Sequence, residues 1–152
     1  MPTPAFYGNF SDDDQPTLGK VQDLISDART LLQDIVGTGY RYTDASLLVA
    51  LNISLAEASR MRADLFVWNL RMRGQVPAFQ AVDDTKVGLP VQFRLAMLHG
   101  ICGHAMERDQ EDYADSRATT FLNMFNQGLV GRNLGPVVGG AGPGGGGRGR
   151  PG

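Results

Sequence analysis

Three residues whose side chains can bind metal ions lie close together in the sequence: His99, Cys102 and His104. The apolar spacing around them predicts a helix, in which successive residues are turned by about 100°. His99 and His104 then point about 140° apart, and Cys102 and His104 about 160° apart, so one ion cannot bind all three. We therefore predict no metal site. We expect Cys102 in the core and both histidines partly exposed.

Other segments match catalytic or nucleotide-binding motifs only in part. The segment from Gly37 to Tyr42 begins like the GxGxxG motif of dinucleotide-binding proteins, but Tyr42 stands in place of the third glycine. It also joins two predicted helices, whereas the motif follows a strand. The carboxylates at positions 12–14 and 107–115 lack the regular spacing of a calcium loop, which indicates a solvated surface. We predict no enzymatic activity and no cofactor.

Basic and acidic residues are separated along the chain. Arginine, which outnumbers lysine twelve to two, is favoured at interfaces because its planar guanidinium group binds carboxylates through two nitrogens. Opposite patches on one chain fit a head-to-tail contact between identical neighbours that closes a ring. Ion pairing within the monomer is the alternative. The predicted subunit contacts are Arg60 and Arg62 on the basic side and Glu107, Asp109, Glu111 and Asp112 on the acidic side.

The composition is that of one soluble globular domain with an unusual end. The chain has 152 residues, of which 42% are hydrophobic and 20% charged, and twelve of its 20 glycines lie in residues 128–152. A net charge of −2 argues against a dedicated binder of duplex DNA. No apolar run approaches the roughly 20 residues that span a bilayer, and no signal peptide is recognisable. With a single cysteine, the fold needs no oxidising compartment.

Apolar residues at steps of three and four predict an all-α domain, a four-helix bundle over residues 17–131. Helix 1 covers about residues 17–35, and helix 2 begins after Thr43, a good N-cap, and ends near Met61. Pro90 opens helix 3, whose inward face we assign to residues including Val91 and Leu95. Helix 4 ends at the glycines at positions 128 and 131.

Three segments fall outside this helical pattern. The sequence predicts an extended N-terminal arm for residues 1–16. For residues 63–88, which contain several glycines and prolines that interrupt helices, it predicts a long loop or β-hairpin arm between helices 2 and 3. Residues 132–152 are too poor in apolar area to fold alone, so we predict a docking tail. The tail contacts would be Leu134, Val137, Val138, Arg148 and Arg150, and the arm contacts Phe66, Trp68, Arg71, Arg73 and Phe79.

The sequence from Thr43 through Asn52 to Phe66 resembles a helix of the head–tail connector (adaptor) proteins of tailed bacteriophages. The similar features are its capped start and its Arg-rich end, which finishes in Asp-Leu-Phe. The order of segments is also similar: a preceding helix, an arm, a helix opened by Pro90, an acidic junction at 107–112 and a last helix. The similarity covers about residues 17–131.

The resemblance implies a structural protein of the virion neck, made in the host cytoplasm. About twelve copies would form a ring beneath the portal protein, with C-terminal segments reaching the portal and the arm facing a tail or nozzle protein. Double-stranded DNA would pass through the channel, and no membrane is involved. The alternative is a small helical nucleic-acid-binding protein with an Arg/Gly-rich tail, although two tail arginines would neutralise only about two phosphates.

Overall fold

The computed structural model describes residues 17–34, 39–109 and 116–131, and within these ranges the protein is all-α, as predicted. No strand occurs in the described ranges, only two isolated bridges. Two short 3₁₀ turns, Ala63–Phe66 and Val91–Phe93, precede the third and fourth helices. The helices are α1 (Val21–Leu32), α2 (Asp44–Met61), α3 (Val67–Arg73), α4 (Arg94–Arg108) and α5 (Ser116–Val130).

Helix α2 has the boundaries that its capping residues predict. The Thr43 hydroxyl accepts a hydrogen bond from the Ser46 amide at 3.1 Å, and Asp44 lies in the first turn, where the helix dipole favours an anion. The helix ends at Met61, and the Arg62 amide donates to the Ala58 carbonyl. The predicted start and end of helix 2 are therefore confirmed.

Helix α1 covers Val21–Leu32, so the predicted start near residue 17 and the predicted end near residue 35 are both wrong; the helix ends at Gln33, where φ is +59°. The residues before it run antiparallel to the segment that precedes α4: the Leu18 amide donates to the Leu89 carbonyl, and the Val87 amide to the Gly19 carbonyl. Gly19 has φ +97°, a conformation incompatible with a helix and rarely adopted by other residues. Leu18 is buried all the same, which explains why its spacing matched the helical pattern.

The segment 63–88, predicted as a loop or hairpin, is helical in its first half. A 3₁₀ turn leads into α3, which ends at Gly74, where φ is +69°. The second half has no helix and is attached to α2 through Asn52. The Asn52 side chain donates to the Phe79 carbonyl at 2.8 Å and accepts from the Phe79 amide at 2.9 Å. This pair of bonds satisfies backbone groups that have no helix to join.

Helix α4 lies at the centre and contacts α1, α2 and α5. Small residues let α5 approach closely: a Cβ at Gly128 of α5 would lie 2.7 Å from the Ala96 Cβ. The assignment of Val91 and Leu95 to the core is wrong, because both are exposed. Helix α4 packs through the face that carries Ala96 and Met97, and this turns Leu95 outward. The largest fully buried side chains are Leu18, Leu24, Leu47, Leu51, Leu55, Phe66, Leu89, Met97, Ile101, Met106, Phe125 and Leu129.

Candidate interaction surfaces

The three residues considered as metal ligands have three different environments. Cys102 is fully buried, as predicted, with its Sγ 3.6 Å from the Ala28 carbonyl oxygen, and burial raises the pKa of its thiol to about 12. His99 is half-buried, its ring centroid is 5.8 Å from that of Phe121, and burial lowers the pKa of its imidazole. Within residues 17–34, 39–109 and 116–131, no group of three or more His, Cys, Asp or Glu residues could hold a metal ion.

His104 is buried, so its expected partial exposure is wrong. Its Nε2 lies 2.9 Å from Glu57 Oε2 on α2, and its Nδ1 lies 3.5 Å from Glu107 Oε2 one turn along α4. The imidazole can be buried because both nitrogens have polar partners. Its ring also meets the Phe125 ring edge-on, at a centroid distance of 6.2 Å. His104 therefore links α2 to α4, which is a structural contact.

Several residues predicted to contact a neighbouring subunit have partners within the chain. Arg62 donates from Nε and Nη2 to the two carboxylate oxygens of Asp64, at 2.9 and 2.8 Å, and this hydrogen bonding lowers the pKa of the Asp64 carboxyl. Asp109 accepts from Arg41 Nε at 2.7 Å. Arg62 and Asp109 therefore form ion pairs within the monomer, which was the alternative to a contact between subunits. Arg60 is exposed at the end of α2, and Glu111 and Asp112 lie outside the described residues.

The predicted arm contacts divide into buried and exposed residues. Phe66 is fully buried in the core, so its assignment as a contact with another protein is wrong. Phe79 is half-buried and packs against the core. Arg71 and Arg73 are exposed on α3, and the side chain of Trp68 lies outside the described ones.

Helix α3 presents apolar and basic side chains together. Val67, Leu70 and Met72 are exposed, Met72 to 66%, and Arg71 and Arg73 lie among them. Val67, Leu70 and Arg71 lie within about 100° of one another around the helix, whereas Met72 points about 160° away from Leu70, so we call Val67, Leu70 and Arg71 the α3 surface. Exposed large apolar side chains that share one face of a helix are candidates for a contact with another molecule. The spacing of Val67, Leu70 and Arg71 by three and four residues is the sequence signal for this helix.

A second apolar surface lies where α4 begins and α5 ends. Leu95 is 59% exposed, and Val91 and Val130 are each 45% exposed. Ala96 and Gly128, which are in close contact, place the first turn of α4 beside the last turn of α5. Val91 and Leu95, four residues apart, are what we call the Leu95 surface; Val130 is turned about 160° around α5 from Gly128 and is not part of it.

The opposite end of the helices carries a polar cluster and a cleft. Arg29, which is buried, donates to Asp34 at 2.9 Å, to Asp44 at 2.5 Å and to the Tyr42 carbonyl at 2.5 Å, so it joins the end of α1 to the start of α2. Its guanidinium carbon lies 3.9 Å from the centroid of the Tyr40 ring. A cleft of about 230 Å³ is lined there by Leu32, Gln33, Asp34, Arg41, Tyr42, Met106 and Arg117.

The predicted terminal segments lie outside the described residues. They include the N-terminal arm, residues 1–16, and the docking tail with Leu134, Val137, Val138, Arg148 and Arg150. Across the described ranges, no helix combines the length and the apolar character needed to cross a membrane. Comparisons with protein-family models, with curated proteins and with solved structures found no match to this chain.

Proposed function

We propose that the chain is a non-enzymatic structural subunit of a ring of about twelve copies that joins the capsid portal of a tailed phage to its tail. Helices α1, α2, α4 and α5 would form the four-helix body of the subunit, with α3 and the segment up to residue 88 as its arm. Double-stranded DNA would pass through the ring at the neck of the virion. The observation that supports this proposal best is the α3 surface.

The α3 surface combines two properties that a head-to-tail interface uses. Its apolar side chains would gain about 25 cal/mol for each Å² that a partner removes from water. Arg71 would pair with a carboxylate and fix the orientation of the contact. A copy of the same chain can offer such a carboxylate, because Glu107 at the end of α4 has a side chain that is 53% exposed.

The C-terminal tail and the arm complete the proposed connector. The tail, with Leu134, Val137 and Val138 as apolar anchors, would dock on the portal protein, and Arg148 and Arg150 would pair with acidic groups there. The arm would face a tail or nozzle protein. Repeated contacts around the ring would compensate for the entropy of ordering a glycine-rich segment, because linked binding events reinforce one another.

The mass of the particle in solution tests the ring. A dodecamer of a 16.4 kDa chain has a mass of about 200 kDa, which analytical ultracentrifugation separates from a monomer. Arg71→Glu should shift the protein toward the monomer by placing a carboxylate on the α3 surface. Lys20→Glu is the matched control, because it makes the same charge change at an exposed residue before α1. A wild-type protein that is monomeric at all concentrations, or two variants with equal effects, would contradict the proposal.

The alternative is a small helical protein that binds single-stranded nucleic acid. The exposed Arg71 and Arg73 favour it, since they add to the two tail arginines. Fluorescence anisotropy with a labelled oligonucleotide at several salt concentrations tests it. Binding by a monomer or dimer, weakened by Arg71→Glu and by truncation after Gly131, would support this function in place of the ring.

A further inference from the structure

Residues 75–82, which we call the strap, follow α3 and contain neither helix nor strand. The strap begins after Gly74, where φ is +69° and the amide donates to the Leu70 carbonyl at 3.0 Å. It ends before Asp83, whose carbonyl accepts a hydrogen bond from the Gln22 amide of α1 at 3.0 Å. Both ends of the strap are therefore fixed to helices by backbone hydrogen bonds.

The middle of the strap has one polar attachment. The Asn52 side chain donates to the Phe79 carbonyl at 2.8 Å and accepts from the Phe79 amide at 2.9 Å. Within residues 17–34, 39–109 and 116–131, these two are the only hydrogen bonds that reach the strap. Asparagine is a poor helix former, so its place in the middle of the 18-residue helix α2 fits a role in holding the strap.

The apolar attachment of the strap is shallow. Val76, Phe79 and Val82 pack against the core but are only half-buried, and no residue of the strap is fully buried. The helical body differs in this respect, because side chains such as Ile101 in α4 are completely inaccessible to solvent. Segments with few buried apolar contacts open locally at a lower free-energy cost than the core. The strap is such a segment, and it lies between two fixed ends.

We propose that the strap opens as one unit, hinged at Gly74 and Asp83, while the helical body stays folded, and that Asn52 is the latch that holds the strap closed. Opening breaks the two bonds to Phe79 and brings its half-buried apolar side chains into solvent, where another chain can reach them. The conformational entropy of the freed residues favours the open state, whereas the latch and the apolar contacts favour the closed one. The inference concerns the single subunit and does not rest on the proposed ring.

Hydrogen exchange of the full-length protein, measured by NMR under native conditions, tests whether the strap opens independently. The Phe79 amide reports on the strap, and the Ile101 amide reports on the body. We expect the Phe79 amide to exchange about a hundredfold faster than the Ile101 amide. Adding about 1 M urea should speed exchange at Ile101 about tenfold and leave Phe79 almost unchanged, because local opening exposes little surface.

A variant of the body gives the matched comparison. A Cβ at Gly103 of α4 would lie 2.7 Å from Leu122 of α5, so Gly103→Ala weakens the body without touching the strap. It should speed exchange at Ile101 about thirtyfold and leave Phe79 within about twofold. If the Phe79 amide follows Ile101 in urea or in Gly103→Ala, the strap opens only when the whole domain unfolds, which overturns the proposal. A Phe79 amide that exchanges like an unprotected peptide overturns the latch.

Limited proteolysis with chymotrypsin, followed by mass spectrometry, tests the latch. The enzyme cuts after Phe79 when the strap is open, and after the buried Phe66 when the body unfolds. Asn52→Ala should speed the cut after Phe79 about tenfold, and this cut should still precede the one after Phe66 by about a hundredfold. Asn123→Ala is the matched control, because it makes the same change at an exposed residue of α5. Equal rates for the two variants, or a cut after Phe66 as fast as that after Phe79, contradict the proposal.

Discussion

The close approach of α4 and α5 makes Gly103 the position where adding one methyl group should cost the most. A Cβ at Gly103 would lie 2.7 Å from both Cγ and Cδ2 of Leu122 and 3.2 Å from the Leu122 backbone nitrogen. Non-bonded carbon atoms pack at about 3.5–4.0 Å. Because a backbone atom is among the neighbours, a new rotamer of Leu122 does not relieve the contact, and α5 has to move as a whole.

The magnitude follows from two opposing effects. Overpacking of a core costs about 1–3 kcal/mol, and we take the upper end because a helix backbone must shift. Replacing glycine by alanine inside a helix returns about 1 kcal/mol. Gly103→Ala should therefore lower the free energy of unfolding by about 2 kcal/mol, which for a domain of this size lowers Tm by about 8 °C.

Thermal and urea denaturation followed by circular dichroism measure this difference. Gly88→Ala is the matched control, because no atom lies within 4 Å of a Cβ at Gly88 and its backbone does not need a glycine. We expect that variant to stay within about 0.5 kcal/mol of the wild type. If Gly103→Ala is as stable as Gly88→Ala, α5 does not pack this closely on α4, and the position derived for the Leu95 surface is also wrong.

Three further predictions concern contacts within the subunit. Asn52→Ala removes both hydrogen bonds to the Phe79 backbone, so it should lower stability by about 1–2 kcal/mol and speed hydrogen exchange at the Phe79 amide. Arg29→Met leaves the buried Asp34 carboxylate without its cation and should lower the free energy of unfolding in urea by about 3 kcal/mol. The Cys102 thiol has a pKa raised to about 12, so it should not react with a thiol reagent at pH 8 until the protein unfolds. Because the folded pKa is the higher one, stability should fall above about pH 9, and Cys102→Ala should remove that part of the pH profile.

The helices that the sequence predicts well are those whose ends carry their own signals. Helix α2 has Thr43 as a cap and a long apolar stripe, and both are local properties. The start of α1 was predicted wrongly because buried Leu18 continues the helical spacing, although it belongs to a segment paired with residues some 70 positions away. Helix α3 has only seven residues, which is too few to be stable alone, so its formation depends on the buried Phe66 that anchors it.

The partners of the charged residues could not be predicted from the sequence either, because some of them lie far apart along the chain. Grouping by sequence placed Arg62 and Asp109 on opposite patches that would meet between subunits. In the fold, Arg62 pairs with Asp64 two positions away, and Asp109 pairs with Arg41, which is 68 positions away. A charge count along the chain cannot distinguish these pairs from exposed charges, because the distance between two side chains is set by helix packing. Exposure on the folded chain selects Arg60 and Arg71 from the basic group.

Arg62 has a different role from the one predicted, and this role connects the two apolar surfaces. Its Nη1 donates to the Leu129 carbonyl at 2.7 Å, and its guanidinium carbon lies 5.2 Å from the centroid of the Phe93 ring. Arg62 thus holds the junction of α2 and α3 against the end of α5 and the start of α4. The α3 surface and the Leu95 surface consequently lie at the same end of the helices. The other end is closed by polar contacts from Arg29 and Arg41. Because burial of apolar area drives association, contacts with other chains should concentrate at the end that Arg62 organises.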